Sequence, residues 1–210
     1  IVTIFPKMFE SYFSDSILAR AIKNKKINVS FYNPRTFSKD KRQTVDDRAY
    51  GGGPGMVMQA EPILKAVEKA KAKGKNNKVK IIILSPSGKK FTDTDAKNLS
   101  NKYKNIIFIS GRYEGIDARV KKILKAEDYS IGDYVLTGGE LPAMVMIDSI
   151  SRKISGVLGK IESLEENRLS TSEMYTRTEI LKYKNKKYSV PKVLTSGNHK
   201  EIEKWKESSR

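Results

Sequence analysis

Ser130-Ile131-Gly132-Asp133-Tyr134-Val135-Leu136-Thr137-Gly138-Gly139-Glu140-Leu141-Pro142 is apolar enough to lie in a core, yet it holds three glycines and closes on a Gly-Gly-Glu-Leu-Pro turn. Glycine lets main chain approach a ligand closely and supplies φ > 0 conformations that side chains forbid. The stretch therefore reads as main chain wrapped around a small molecule. Two upstream junctions have the same form. Residues 79–84 run into Ser85-Pro86-Ser87-Gly88, and residues 106–109 run into Ser110-Gly111-Arg112-Tyr113-Glu114-Gly115. Any one of them alone is an ordinary tight turn. Three in consecutive units point to a pocket, because open α/β sheets bind ligands beyond the carboxyl ends of their strands.

Working outward, short β-branched runs at 2–5, 27–32, 79–84, 106–109 and 129–131 read as strands. Helical patterns lie between them. Pro62 opens one that runs to about Lys73 before Gly74. Thr92-Asp93-Thr94-Asp95 caps another that runs to Lys102. Residues 117–124 and 141–154 form two more. Strands alternating with helices predict an α/β fold, a mostly parallel sheet with helices on both faces. Residues 36–55 end in Gly51-Gly52-Gly53-Pro54-Gly55 and are too long for a plain connection, so they read as functional. Residues 160–175 show no clear period and read as a linker. A short tail follows, with a helix at 200–207.

At 210 residues the chain suits one large domain plus a small appendage. It has no cysteine, which excludes disulfides, a Cys nucleophile and a Cys-held zinc and fits a reducing cytoplasm. No apolar run approaches the roughly 18 residues that span a membrane. The formal charge of +17 points to a polyanionic partner, nucleic acid first among them. Lysine outnumbers arginine 31 to 10, so codon bias is the plain alternative for part of that charge. Neither G-x-G-x-x-G after a strand nor G-x-x-x-x-G-K-[ST] occurs, and no His/Asp/Glu cluster has metal spacing. The one histidine, His199, lies far from the glycine loops.

The blocks Val45-Asp46-Asp47-Arg48-Ala49-Tyr50-Gly51-Gly52-Gly53-Pro54-Gly55-Met56, Leu84–Gly88, Gly111–Asp117 and Ser130–Pro142 resemble the TrmD-type tRNA (guanine-N1)-methyltransferase family of the SPOUT superfamily. So do Arg152 with Gly156-Val157-Leu158-Gly159, Tyr175-Thr176-Arg177, and Val190-Pro191 through His199. The blocks stand in family order over nearly the whole chain. The resemblance implies a methyltransferase domain over 1–159 whose carboxyl part is tied into a trefoil knot, against the usual unknotted rule. It implies an interdomain linker over 160–175 and, at 176–210, the start of a helical tRNA-binding domain that this chain cuts short.

The resemblance further implies methyl transfer from S-adenosylmethionine to N1 of the guanosine at tRNA position 37, by a homodimer whose subunits share each active site. Cofactor contacts carry over to Leu84, Ser85, Pro86, Gly111, Tyr113, Glu114, Ile131, Gly132, Tyr134, Leu136, Gly138, Gly139 and Pro142. Contacts to tRNA carry over to Asp47, Gly53, Gly55, Arg168 and Arg177. The family also brings magnesium as an accompanying ion, although the sequence names no ligand for it. Guanine N1 bears a proton at neutral pH, so the reaction needs a base, and a cation must steady the charge growing on O6. Arg152 matches the family's cation. The family's catalytic Asp falls on Asn167, whose amide is no useful base. Glu166 beside it is the replacement expected here, with Glu162, Glu165 and Glu173 near. Asn167 and the shortened linker keep two alternatives open. One is a SPOUT-fold RNA-binding protein with weak or no methyl transfer. The other is a SPOUT methyltransferase acting on another RNA position.

Overall fold

Ile81-Ile82-Ile83-Leu84 is a run of four aliphatic side chains, and a strand covered on both faces hides all of them. The computed structural model describes residues 1–73, 78–158 and 173–208. The described elements begin with α1 (Glu10–Phe13), α2 (Ser16–Lys23), β1 (Asp46–Asp47), β2 (Val57–Met58) and α3 (Ala60–Lys73). Then come β3 (Val79–Lys90), α4 (Asp93–Lys102), β4 (Asn105–Ser110), α5 (Ala118–Leu124), β5 (Glu127–Ser130) and α6 (Glu140–Arg152). The tail holds β6 (Ile180–Tyr183), β7 (Lys186–Ser189), α7 (Lys192–Thr195) and α8 (His199–Ser208).

β3 is the middle of a parallel sheet of order β4-β3-β5. Its register sets Leu84 opposite both Ser110 and Tyr129, so the three strands end at one level. Tyr129 pairs again with Lys89, so residues 85–88 leave the ladder as a loop and then return to it. Alternate residues serve opposite faces. Ile82, Leu84 and Phe108 pack with Ala96 and Leu99 of α4 and with Ala143, Met146, Ile147 and Ile150 of α6. Ile81, Ile83, Ile107 and Ile109 pack with Ile63, Ala66 and Val67 of α3 and Val120 of α5. Helices therefore cover both faces, as the alternating pattern predicts. Each fully buried Ile or Leu contributes about 1.5–3 kcal/mol, which makes this double-sided packing the main source of stability.

Two expected strands are reduced to single bridges. Val2 lies between Tyr32 and Ile109, parallel to both, with bonds from Val2 N–H to Phe108 O (2.8 Å) and from Tyr32 N–H to Ile1 O (2.8 Å). Pro6 opens a short 3-10 turn at Pro6–Phe9 and Pro34 opens another at Pro34–Phe37, so neither segment can continue a ladder. The helix boundaries fall close to expectation. α4 begins with a capping box in which Thr92 and Asp95 each bond the other's backbone, and Asp117 caps α5.

The chain divides into two compact units, Ile1–Val157 and Leu158–Arg210. The tail holds a hairpin that the sequence reading did not foresee ahead of its helices. β6 and β7 form an antiparallel hairpin, turned at Lys184-Asn185 with φ of 46° and 61°. Such a turn needs two residues with positive φ, and Asn is one of the residues that tolerates it. The following α8 begins at His199, one residue before the expected start.

Burial pushes the Asp95 carboxyl up, but the bonds from Lys89 and Thr92 outweigh it and hold the carboxyl below the usual carboxylate range. A depressed folded pKa gives stability that is present above the unfolded value of about 3.9 and is lost as pH falls through the folded one. Thr92→Ala should cost about 1 kcal/mol at neutral pH. Asp95→Asn should flatten the acid limb of a urea-unfolding series below about pH 4 relative to wild type.

Candidate active site

The three level strand ends and the loops that leave them enclose a cleft of about 550 Å³, all within the first unit. Leu84, Ser85 and Pro86 come from the end of β3, and Gly111, Tyr113 and Glu114 from the loop after β4. Ile131, Tyr134, Leu136, Gly138 and Gly139 come from the segment after β5, with Pro142 in the first turn of α6. Twelve of the thirteen residues expected at a cofactor thus line one cavity. Gly132 does not. Its turn is tied by Ser130 Oγ, which donates to Gly132 O (2.8 Å) and accepts from Gly132 N–H (3.2 Å), and the Tyr134 ring packs directly against it.

The walls combine apolar side chains with exposed main chain. Leu84, Pro86, Ile131, Leu136 and Pro142 supply flat apolar surface, while Glu114, Asp117 and Asp128 add carboxylates. Asp117 is held below the usual carboxylate range by Arg119. Tyr113 takes φ of 59°, a left-handed conformation that costs a side-chain-bearing residue energy and that clusters at functional sites. The cavity falls within the roughly 300–1,000 Å³ typical of small-molecule sites. Its apolar walls suit a planar base, its free backbone suits hydrogen bonding, and its carboxylates suit a cationic centre. An adenosyl sulfonium compound fits that donor set.

Gly139 has a different reason from the one its sequence suggests. A Cβ there would lie 2.6 Å from Ser110 Cα and 2.9 Å from Gly111 N, and Gly139 N–H donates to Gly111 O (2.9 Å). The glycine lets the start of α6 touch the end of β4, main chain on main chain.

The glycine-rich segment 51–55 adjoins this cleft. β1 and β2 pair antiparallel, with Asp47 opposite Val57, and Met58 bridges to Ile116 in the loop after β4. Bonds from Glu114 N–H to Met56 O (2.9 Å) and from Met58 N–H to Gly115 O (2.9 Å) tie the two loops together. Asp47 is exposed and accepts from Arg48 N–H (2.8 Å). Gly53 stands in the open, while a Cβ on Gly55 would strike Glu114 Cγ at 2.6 Å. These residues share one rim.

Other expected site residues lie elsewhere. Arg152 closes α6, twelve residues beyond Glu140, which at 1.5 Å per residue is about 18 Å from the cleft end of that helix. Arg177 is exposed in the second unit. Glu166, Asn167 and Arg168 fall outside the described residues, as does most of 160–175. Among the described residues no group of three or more His, Cys, Asp or Glu gathers as a metal site, and no described helix is long and apolar enough to cross a membrane.

Sequence reasoning gave no role to Arg112, Glu140 or Thr3. Glu140 is 1% exposed, with Oε1 accepting from Thr3 Oγ1 (2.8 Å) and Oε2 lying 2.9 Å from Arg112 Nε. A Glu in a first helical turn normally faces water, where it complements the helix dipole, and that ordinary reading hides its burial. Thr3, a polar residue inside an apolar strand pattern, was the available signal.

The family described as tRNA (Guanine-1)-methyltransferase TrmD matches residues 1–210. A tRNA (guanine-N(1)-)-methyltransferase of Buchnera aphidicola is 50% identical over 210 residues, covering 98% of this chain and 86% of that protein. One from Campylobacter jejuni is 49% identical over 205 residues, with 96% and 86% covered. One from Pseudoalteromonas atlantica is 44% identical over 211 residues, with 99% and 77% covered.

Gly139→Val should lose about 1–3 kcal/mol of fold stability through overpacking against Ser110 and Gly111. Thermal melting of the ligand-free protein checks this, and an unchanged midpoint would refute the steric reading.

Proposed function

We propose that this chain, which belongs to the tRNA (guanine-1)-methyltransferase TrmD family, transfers a methyl group from S-adenosylmethionine to N1 of the guanosine next to the tRNA anticodon. The observation that carries the reading is the convergence of twelve expected cofactor residues on one cleft. When bound there, S-adenosylmethionine supplies an electrophilic methyl on a sulfonium. Leu136, Ile131 and Pro86 would flank its flat ring, the backbone of the loops after β3, β4 and β5 would bond its edges, and Glu114 or Asp128 would balance its charge.

The chain's own chemistry concerns guanine. A base takes the N1 proton, the electron pair left on nitrogen forms the new bond to the methyl carbon as that carbon's bond to sulfur breaks and the neutral thioether leaves, and a guanidinium steadies the negative charge on O6. Arg152 is the guanidinium in this reading. Its place at the far end of α6 favours service to the cleft of a second copy. The exposed apolar side chains Met8, Tyr12, Leu141 and Val145 offer a face for that copy, with Tyr12 hydroxyl bonded to Asp148 between them. Asp47 and the 51–55 loop, on the cleft rim, suit the target nucleotide.

Three level loops drawn against one another favour the family's trefoil knot in the first unit. RNA as partner is supported by the net charge of +17 and by the exposed hairpin carrying Lys182, Lys184, Lys186 and Lys187. Arg177, exposed in the same unit, adds to that basic character. The protein works in the cytoplasm, where tRNA is. Magnesium enters as an accompanying ion of the reaction, without an assigned ligand.

Methyl transfer to unmodified tRNA transcripts with guanosine or adenosine at the target tests the reading directly, and product from the adenosine transcript would refute N1-guanine specificity. Arg152→Ala should lower the rate by about 10²–10³ with cofactor affinity kept. Mixing it with a Leu136→Asp subunit should restore about a quarter of wild-type activity if sites are shared across a two-fold axis. For the base, Glu166→Gln should cost about a hundredfold in methyl transfer. Full activity in that variant would leave the proton to water and give Asn167 only an orienting part.

A further inference from the structure

The Arg112 side chain is held by four groups that come from two separate stretches of chain, 5–8 and 137–140. Its Nε stands 2.9 Å from Glu140 Oε2, its Nη1 donates to Thr137 O (3.1 Å), its guanidinium carbon lies 4.7 Å from the centre of the Phe5 ring, and its Nη2 reaches Met8 Sδ at 3.0 Å. The carboxylate that anchors it is buried and is fixed from its other oxygen by Thr3. Nε and Oε2 approach off the hydrogen-bond axis, so their attraction is charge to charge. The side chain passes so close over Gly138 that a Cβ there would lie 2.6 Å from Arg112 Cδ. Gly138 is thus small because Arg112 lies on it.

Thr137 and Gly138 belong to the wall of the cleft that follows β5. Residues 131–139 run as irregular chain from the end of β5 to the start of α6, with no strand pairing of their own. A carbonyl bond from a guanidinium and close packing under its stem therefore stand in for a ladder. We propose that Arg112, anchored on Glu140, is a positioning residue that sets the main chain of Leu136–Gly139 for the cofactor, which makes the cleft competent before anything binds. The inference rests on the cofactor reading of the cleft given above. It also assigns Glu140 a role: the buried charge keeps the guanidinium at one place and one orientation.

The conservative variant separates positioning from fold. Arg112→Lys keeps a cation for Glu140, so the buried carboxylate stays paired, but an ammonium lacks the planar fork that reaches the Thr137 carbonyl at the same time. Three readouts are needed: the melting midpoint, the affinity for S-adenosylhomocysteine by calorimetry, and deuterium uptake of peptides spanning 131–139. The expected result is a midpoint within a few degrees of wild type, affinity lower by tenfold or more, and faster uptake confined to that segment. Val67→Ala, in the core far from the cleft, serves as the destabilised control and should leave affinity unchanged. Should Arg112→Lys fail to fold, Arg112→Met with Glu140→Gln removes both charges, leaves no unpaired ion buried, and should show the same loss. Affinity within twofold of wild type with unchanged uptake at 131–139 would overturn the proposal. If the wild-type protein itself did not bind S-adenosylhomocysteine, the cofactor reading would fall first, and the two failures are told apart by that one measurement.

Discussion

Everything in the first unit depends on β3 being buried on both faces. Ile81 and Ile83 face one layer of helices while Ile82 and Leu84 face the other. A strand so placed has no side chain to spare for chemistry. Polar work is therefore forced to the strand ends, where the ladder stops and backbone groups become free. Parallel pairing with β4 and β5 then puts all the ends on the same side, which antiparallel strands would not do. The cleft follows from the sheet's direction and burial before any particular residue is chosen to line it.

Pairing explains why a buried charge is tolerated at the start of α6. Removing one partner of a buried ion pair typically costs about 3–5 kcal/mol, whereas replacing both by apolar groups is often neutral. The Arg112–Glu140 pair is thus poor evidence for added stability and good evidence for a requirement of shape. Thr3, in the segment beside β4, bonds one oxygen of Glu140, and Arg112 faces the other, so three distant stretches of sequence meet at one carboxylate. Ser110 Oγ is buried beside this region without a bonding partner. The polar interior here is arranged around Glu140 alone.

The sheet and its helices were legible because their signals are local. Aliphatic runs mark β3 and β4, Thr92 and Asp95 spell a capping box, and Asp117 starts α5. The cleft was legible for a similar reason, since a glycine loop after each strand is a pattern of neighbours. What failed to show was long-range. Residues 2–5 and 27–32 look like strands, but each contributes one bridging residue, Val2 and Tyr32, before the turns that Pro6 and Pro34 open. The tail hairpin escaped because Lys184-Asn185 is a weak turn signal within a lysine-rich run. Glu140 and Arg112 stand 28 residues apart in sequence and meet only through packing, so no spacing rule could have joined them. Gly139 was noticed for a true reason, close approach, but the approaching partner is the main chain of β4.

α6 links these levels. Its first turn closes the cleft, its buried stripe of Ala143, Met146, Ile147 and Ile150 completes one core, and its last residue is Arg152. A packed helix of this length is a rigid spacer of about 18 Å, so the guanidinium at one end cannot swing back to the cleft at the other. The proposed reaction, which calls on both, would take them from two chains. Dissociation would then abolish catalysis while leaving each cleft intact to hold its cofactor, and activity would depend on protein concentration in a way that cofactor binding does not. On that proposal, the same helix that makes the fold stable leaves a lone subunit incomplete.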